Sequence, residues 1–219
     1  MSLLKVPRNK NFDDFKQEID ALWPTYIQEA SRILRTLTPE GLQGAMVHPD
    51  GFLKLSIGPQ DGVRDGQVRL HFWIPGRGAT WQPHGHPWHL ASSALAGTYR
   101  EYLPVLRLND SGQLKKFMVI YPPDEDVRAG VHQVGTSTFD NELGTLYETK
   151  EGGAHYLPAG PIHMSSPEAS GGVTLAIMSP RFRDRAYFFA PDNVPYSEVV
   201  NVDDVESIME IVLAIRNNF

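Results

Sequence analysis

The stretch Trp81-Gln82-Pro83-His84-Gly85-His86-Pro87-Trp88-His89 decides how this chain is read. It gathers three of the eight histidines into six residues. In extended backbone, residues i and i+2 share a side, so His84 and His86 point together into one space. Two neutral imidazoles on the inner face of a strand are a metal hypothesis by chemistry alone, because imidazole suits the borderline divalent ions. A bare His-x-His is equally compatible with two surface histidines, so its surroundings carry the argument. A further histidine stands in Tyr156-Leu157-Pro158-Ala159-Gly160-Pro161-Ile162-His163.

The chain around this stretch has a period of two. Phe52 to Ile57 reads as a short strand. From Gln67 to Ile74, Val68, Leu70, Phe72 and Ile74 share one face, and Arg69, His71 and Trp73 share the other. Further short strands are expected near 91–96, 98–108, 116–121, 145–149, 154–157, 173–178 and 185–190, separated by Gly, Pro, Asn and Asp clusters. Many short strands with no helix between them point to a sandwich or barrel. Tyr121 to Leu143 is polar and poorly periodic, and reads as a long loop.

Both ends of the chain change period. Phe12, Phe15, Ile19 and Leu22 recur at helical spacing behind Asn11 as a cap. Pro24 is expected to stop or restart that helix, and Tyr26, Ile27, Ala30, Ile33, Leu34 and Leu37 continue the apolar stripe. A last helix is expected over 201–216, with Val205, Ile208, Ile211, Val212 and Ile215 as its apolar face. The chain therefore reads as one domain over 1–219: a helical flank (1–47), a barrel (48–190) and a C-terminal helix (191–219).

Composition bounds the function. The 219 residues include 20 Lys plus Arg, 26 Asp plus Glu and no Cys, for a net charge of −6. No generic nucleic-acid partner is expected, since such a surface wants a basic face. The missing cysteines remove disulfides, thiolate ligands, Fe–S clusters and a Cys nucleophile. No apolar run approaches the roughly 18–20 residues of a membrane span, and the first residues lack a signal peptide's apolar core, so a soluble, cytoplasmic protein is expected. Arg181, Arg183 and Arg185 alternate along one segment and read as a solvated face.

Gly78, five residues, His84-x-His86, ten residues and Gly97 resemble the first motif of the cupin superfamily, G-x5-H-x-H-x3/4-E-x6-G. Gly152, five residues and Pro158-x-Gly160-x-x-His163 resemble the second, G-x5-P-x-G-x2-H-x3-N. The resemblance covers about residues 50–190. It implies a mainly β fold, a double-stranded β-helix or jelly roll with helices at each end, and a divalent metal held by His84, His86 and His163. The motif's Glu falls at Leu90 or Ala91, and its Asn at Pro167. His89 lies near the Glu position but with parity opposite to His86, so only a bulge after Pro87 would make it a fourth ligand.

A three-His cupin resembles the thiol dioxygenases, typified by cysteine dioxygenase. Asp50-Gly51-Phe52-Leu53-Lys54 is similar to the strand that carries that family's substrate-carboxylate Arg, with Lys54 at the matching place. Gly97-Thr98-Tyr99-Arg100-Glu101 is similar to the strand after the first motif, and Thr174 to Pro180 to the strand carrying the family's Ser-His-Tyr triad. There Ala176 stands at the His place, Met178 at the Tyr place, and only Thr174 could imitate the Ser.

The resemblance implies a non-haem iron(II) dioxygenase of a small thiol or carboxylic acid; an anionic substrate would be met by Lys54, Arg69 or His71 lining the barrel, of which Lys54 and Arg69 read equally as a solvated strand face. With Zn, Ni or Mn in place of iron, the same ligands suit an isomerase, lyase or hydrolase, for which Glu101, Tyr99 and His155 are the candidate acid–base groups. A non-catalytic small-molecule-binding barrel is the third reading. Trp73, Trp81 and Trp88 stand close enough to be pocket walls or plain packing. A homodimer is compatible with the resemblance.

Overall fold

The computed structural model describes residues 4–42, 45–48, 51–58, 66–75, 82–121, 130–149, 154–167, 171–191 and 202–216. Gly78, Trp81 and Gly152 of the expected motifs lie outside them. The fold is mainly β: two antiparallel sheets, with helix α1 (Phe12–Thr36) before them and α2 (Val202–Arg216) after.

Helix α1 begins where Asn11 accepts hydrogen bonds from the backbone N–H groups of Asp13 and Asp14, at 3.0 and 3.2 Å. Asp13 and Asp14 in its first turn and Arg35 in its last complement the helix dipole. Pro24 does not interrupt it. Phe15, Ile19, Tyr26, Ala30 and Leu34 are buried on one continuous stripe, whereas Pro24 is exposed on the opposite side. The packed stripe therefore outweighs one missing backbone hydrogen bond, and the ring's crowding falls towards solvent. Pro24→Ala should restore that bond and stabilise the protein by about 1–3 kcal/mol. Chemical denaturation of the two proteins reads this directly; an unchanged midpoint would mean that the helix bends enough to absorb the proline.

The first sheet has the order β1-β2-β3-β10-β4-β8: β1 (Met46–Val47), β2 (Leu53–Ser56), β3 (Gln67–Trp73), β10 (Gly172–Met178), β4 (Leu90–Ala96) and β8 (Ala154–Leu157). Its outer face carries Leu53, Leu55, Val68, Leu70, Phe72, Ala91, Leu95, Val173, Leu175 and Ile177. These pack against the α1 stripe and against Ile208 and Val212 of α2, forming the main core. The inner face is different. Register aligns Ser56, Arg69, Ala176, Ser92 and His155 in one row, and Lys54, His71, Thr174 and Ala94 in the next. A strand with one apolar and one polar face alternates in this way whether its polar face meets solvent or a cavity. Here that face meets the second sheet.

The second sheet has the order β11-β6-β7-β5-β9: β11 (Arg185–Ala190), β6 (Leu114–Ile120), β7 (Gly130–Thr149), β5 (Tyr99–Leu108) and β9 (Met164–Pro167). His84 bridges His163 on one side and Phe188 of β11 on the other. The His84 segment thereby links both edges of this sheet, and backbone pairing runs around a closed circuit. The jelly roll expected from the two histidine motifs is the fold that forms.

The long loop expected over Tyr121 to Leu143 is not what forms. Residues 130–149 make one 20-residue strand, β7, and only 122–129 lie outside the described residues. The strand hides from a periodicity reading because none of residues 131–140 is buried. With both faces wet, nothing selects an apolar alternation. Its pairing also shifts register opposite Leu103/Val105 and Lys115/Phe117. Among the described residues no helix is long and apolar enough to cross a membrane.

Candidate metal centre

The segment 82–89 is held as a narrow ribbon rather than a regular strand. His84 N–H donates to the His163 carbonyl at 2.9 Å, and His163 N–H returns a bond to the His84 carbonyl at 2.8 Å. On the other side, Gly85 N–H donates to the Tyr187 carbonyl at 2.8 Å, and Phe189 N–H to the Pro83 carbonyl at 2.8 Å. Gly160 N–H reaches the His86 carbonyl at 3.1 Å. Glycine at 85 permits this approach: a Cβ there would stand 2.9 Å from the Gly160 carbonyl oxygen. Gly160 has φ +106°, and a Cβ on it would meet the Arg183 guanidinium at 2.3 Å. The two histidine motifs are thus drawn together by their glycines.

His84, His86 and His163 form a triangle. Their ring centroids are 4.4–4.9 Å apart, and one nitrogen from each lies within 4.8 Å of the others. Two of the rings are oriented by their second nitrogens. His84 Nδ1–H donates to the Gln82 carbonyl at 2.9 Å, which puts the lone pair on Nε2. His163 Nδ1 is hydrogen-bonded to the Glu101 carboxylate, itself fully buried on β5. His163 Nε2 is then a buried atom without a hydrogen-bond partner. A histidine whose far nitrogen is tied to a carbonyl or carboxylate, with its near nitrogen left in a cluster of imidazoles, has the arrangement of a metal ligand. His86 completes the set: burial, then the neighbouring His163 and His84, hold its pKa well below the ordinary range, so it stays neutral. Three imidazoles and one buried carboxylate behind them fit a divalent ion.

The remaining expected residues fall into three groups. Lys54 and His71 sit opposite each other in register, and Arg69 is two residues from His71 on the same inward face. Burial, then the charge of Arg69, lowers Lys54 to about 8, and burial lowers Arg69 to about 10. Burial, then Arg69, also keeps His71 neutral. Glu101 is engaged with His163, and Ser165 Oγ stands 3.5 Å from its other oxygen. His155, half-buried on β8, feels both Glu101 and His163; burial is the larger influence and lowers its pKa. Tyr99 starts β5, and its side chain lies outside the described residues.

His89 is turned away from the cluster. Its Nε2–H donates to the Lys10 carbonyl at 2.8 Å, and its Nδ1 accepts from Ala159 N–H at 2.9 Å. Its ring lies among Phe12, Phe15 and Phe182. With both nitrogens spent on backbone groups, it is not a fourth ligand, and the parity opposite to His86 stands. Of the arginine run, Arg185 pairs with Asp184 at 3.0 Å in solvent, while Arg181 lies over the Tyr121 ring at 5.4 Å.

Sequence reasoning missed three neighbours of the site. His48 lies 6.2 Å from His84, ring to ring, and stacks on Phe52, which also contacts His71 and Trp73. Tyr121 meets Trp88, which stacks on His86 at 5.3 Å. Gln67 shares the inward face of β3 with Arg69. The β3 alternation contained Gln67; nothing local marked His48 or Tyr121.

No family model matches this sequence, and no curated protein is matched. Among solved structures the chain is similar to an RmlC-like cupin from Shewanella frigidimarina, at 12% identity over 62% of this chain and 81% of that one, with a TM-score of 0.29. A protein from Shewanella oneidensis is similar at 16% identity over 68% and 82%, with a TM-score of 0.28. A cupin-like protein from Thermotoga maritima is similar at 10% identity over 72% and 84%, with a TM-score of 0.23.

Proposed function

We propose that this protein is a non-haem iron(II) dioxygenase acting on a small acid, resembling the thiol dioxygenases in scaffold. One observation carries the reading: the three clustered side chains are imidazoles with no carboxylate among the candidate ligand atoms, and Lys54 and Arg69 lie on the inner face of the first sheet. Such a set leaves a divalent ion its full charge and open positions for small ligands. Iron(II) held there would supply the electron transfer that O2 needs to react with an organic acid.

The chain's own residues supply the rest. Lys54 receives a substrate carboxylate, which offsets the two buried cations. His71, kept neutral, offers one donor and one acceptor to the substrate. Phe52 and Trp73 close the wall beside it, and the Trp73 indole N–H is already committed to Thr174 Oγ1 at 3.2 Å. Glu101 fixes the orientation of His163 rather than reaching into the open space.

The test is metal content of protein prepared without chelator, followed by O2 uptake of the reduced, iron-loaded protein with a panel of small thiols and carboxylic acids. Near-stoichiometric iron with substrate-dependent uptake is expected. Uptake absent across the panel, with full turnover of an acid by the zinc- or nickel-loaded protein, would replace this reading by a non-redox isomerase, lyase or hydrolase.

A further inference from the structure

Three buried polar atoms on neighbouring residues of the inner face have no hydrogen-bond partner: Gln67 Oε1, Arg69 Nε and Trp88 Nε1, the last on the ring that stacks on His86. Their placement follows from the sheet. Gln67 and Arg69 project from the same face of β3, opposite Met178 and Ala176 of β10. Trp88 packs on the cluster formed by Ala176, Met178, Leu90 and Leu157. Its ring is stacked on His86 at 5.3 Å and meets Tyr121 edge-on at 6.1 Å. Tyr121 in turn is close enough to Arg69 for their charges to interact.

An unsatisfied buried polar group is costly, and native proteins keep few of them. The three on these neighbouring residues have complementary chemistry. Two are N–H donors, one of them cationic, and suit an oxyanion. The third is an amide oxygen, which suits a hydroxyl or ammonium group beside that oxyanion. The charge agrees. Lys54 and Arg69 put two cations on the inner face, and the aligned rows Ser56–His155 and Lys54–Ala94 contain no carboxylate. Glu101 is already engaged by His163.

We propose that Arg69, Trp88 and Gln67 form a second subsite, adjoining the three histidines, for a carboxylate or phosphate that is the far end of a small dianionic substrate. Lys54 receives the near end, so this inference rests on the acid-substrate reading above and narrows it from acids in general to dianions. A hydroxyl or amino group next to the far anion is read by Gln67.

Calorimetric titration of the metal-free protein tests it, with succinate, malate, inorganic phosphate and acetate as probes. Dianions should bind at least about tenfold more tightly than acetate, and malate more tightly than succinate. Inorganic phosphate has a single anionic group and fits the far subsite alone, so phosphate binding that is lost in Arg69→Met assigns the far end to a phosphate, and its absence beside tight malate binding assigns it to a carboxylate. Trp88→Phe keeps the ring and removes the N–H, and should weaken dianion binding about tenfold while leaving acetate unchanged. Arg69→Met should abolish the dianion preference; Arg69→Lys, which keeps the charge, replaces it in the test if the methionine variant does not fold. Equal binding of succinate, phosphate and acetate, or a dianion preference that survives both Arg69 and Trp88 substitutions, overturns the subsite. Because no metal is present, failure of the dioxygenase reading leaves a positive result standing, and failure here leaves O2 uptake with monoanionic acids intact.

Discussion

Replacing His163 by alanine should lower the affinity of the protein for a divalent metal by more than about 100-fold, beyond the effect expected for a residue that merely supports a ligand. The ring supplies one corner of the triangle, and its buried Nε2 has no other partner. The variant should also melt earlier in the metal-free state, since the buried Glu101 carboxylate loses the imidazole it is bonded to. His84→Ala separates the two effects. His84 is less buried, and its Nδ1 partner is a backbone carbonyl of its own segment, so metal should be lost at a smaller cost in metal-free stability. Metal analysis after dialysis against a weak chelator, with thermal melts of the metal-free proteins, gives both readouts. Full metal content in His84→Ala and His163→Ala alike would remove the site from these residues.

Glu101→Ala should weaken metal binding by about 10–100-fold without removing any ligand. The carboxylate holds His163 by Nδ1 and so keeps Nε2 turned into the cluster. Glu101→Gln keeps an acceptor for that N–H while dropping the charge, and should recover most of the affinity. Competition with a chromophoric chelator measures both. If alanine and glutamine variants bind metal as tightly as the parent and differ only in melting temperature, Glu101 is a packing residue. If both lose catalysis while keeping metal affinity, Glu101 acts on the substrate instead, as the general base that the sequence alone allowed.

Much of the site was legible because its signals are local. His84 and His86 are two residues apart, and spacing alone puts their rings on one side. Pro158, Gly160 and His163 form a pattern within six residues. The Gln67–Ile74 alternation separated the helix-facing side of β3 from the side that bears Arg69 and His71, as the burial confirms. The α1 stripe was equally local, although the proline within it argued for a break. That break did not form because a packed stripe on one side of a helix is insensitive to a ring on the other.

The periods, the caps and the two histidine motifs are therefore local properties, each set by neighbours within a few residues. Which faces meet is set by contacts between residues far apart in the chain. Glu101 reaches His163 across 62 positions, and His89 spends its nitrogens on Lys10 and Ala159, at 79 and 70 positions. One acidic residue on a strand thereby became the partner of a clustered histidine, and one histidine beside the motif became a strut between helix and barrel. Alternation fixes which residues share a face of a strand, but it cannot say whether that face meets water, a helix or another sheet. That depends on closure of the second sheet through the His84 bridge, a long-range event with no local pattern. The same closure turned the strand face that bears Lys54 and Arg69 inward, where burial lowers the pKa of both.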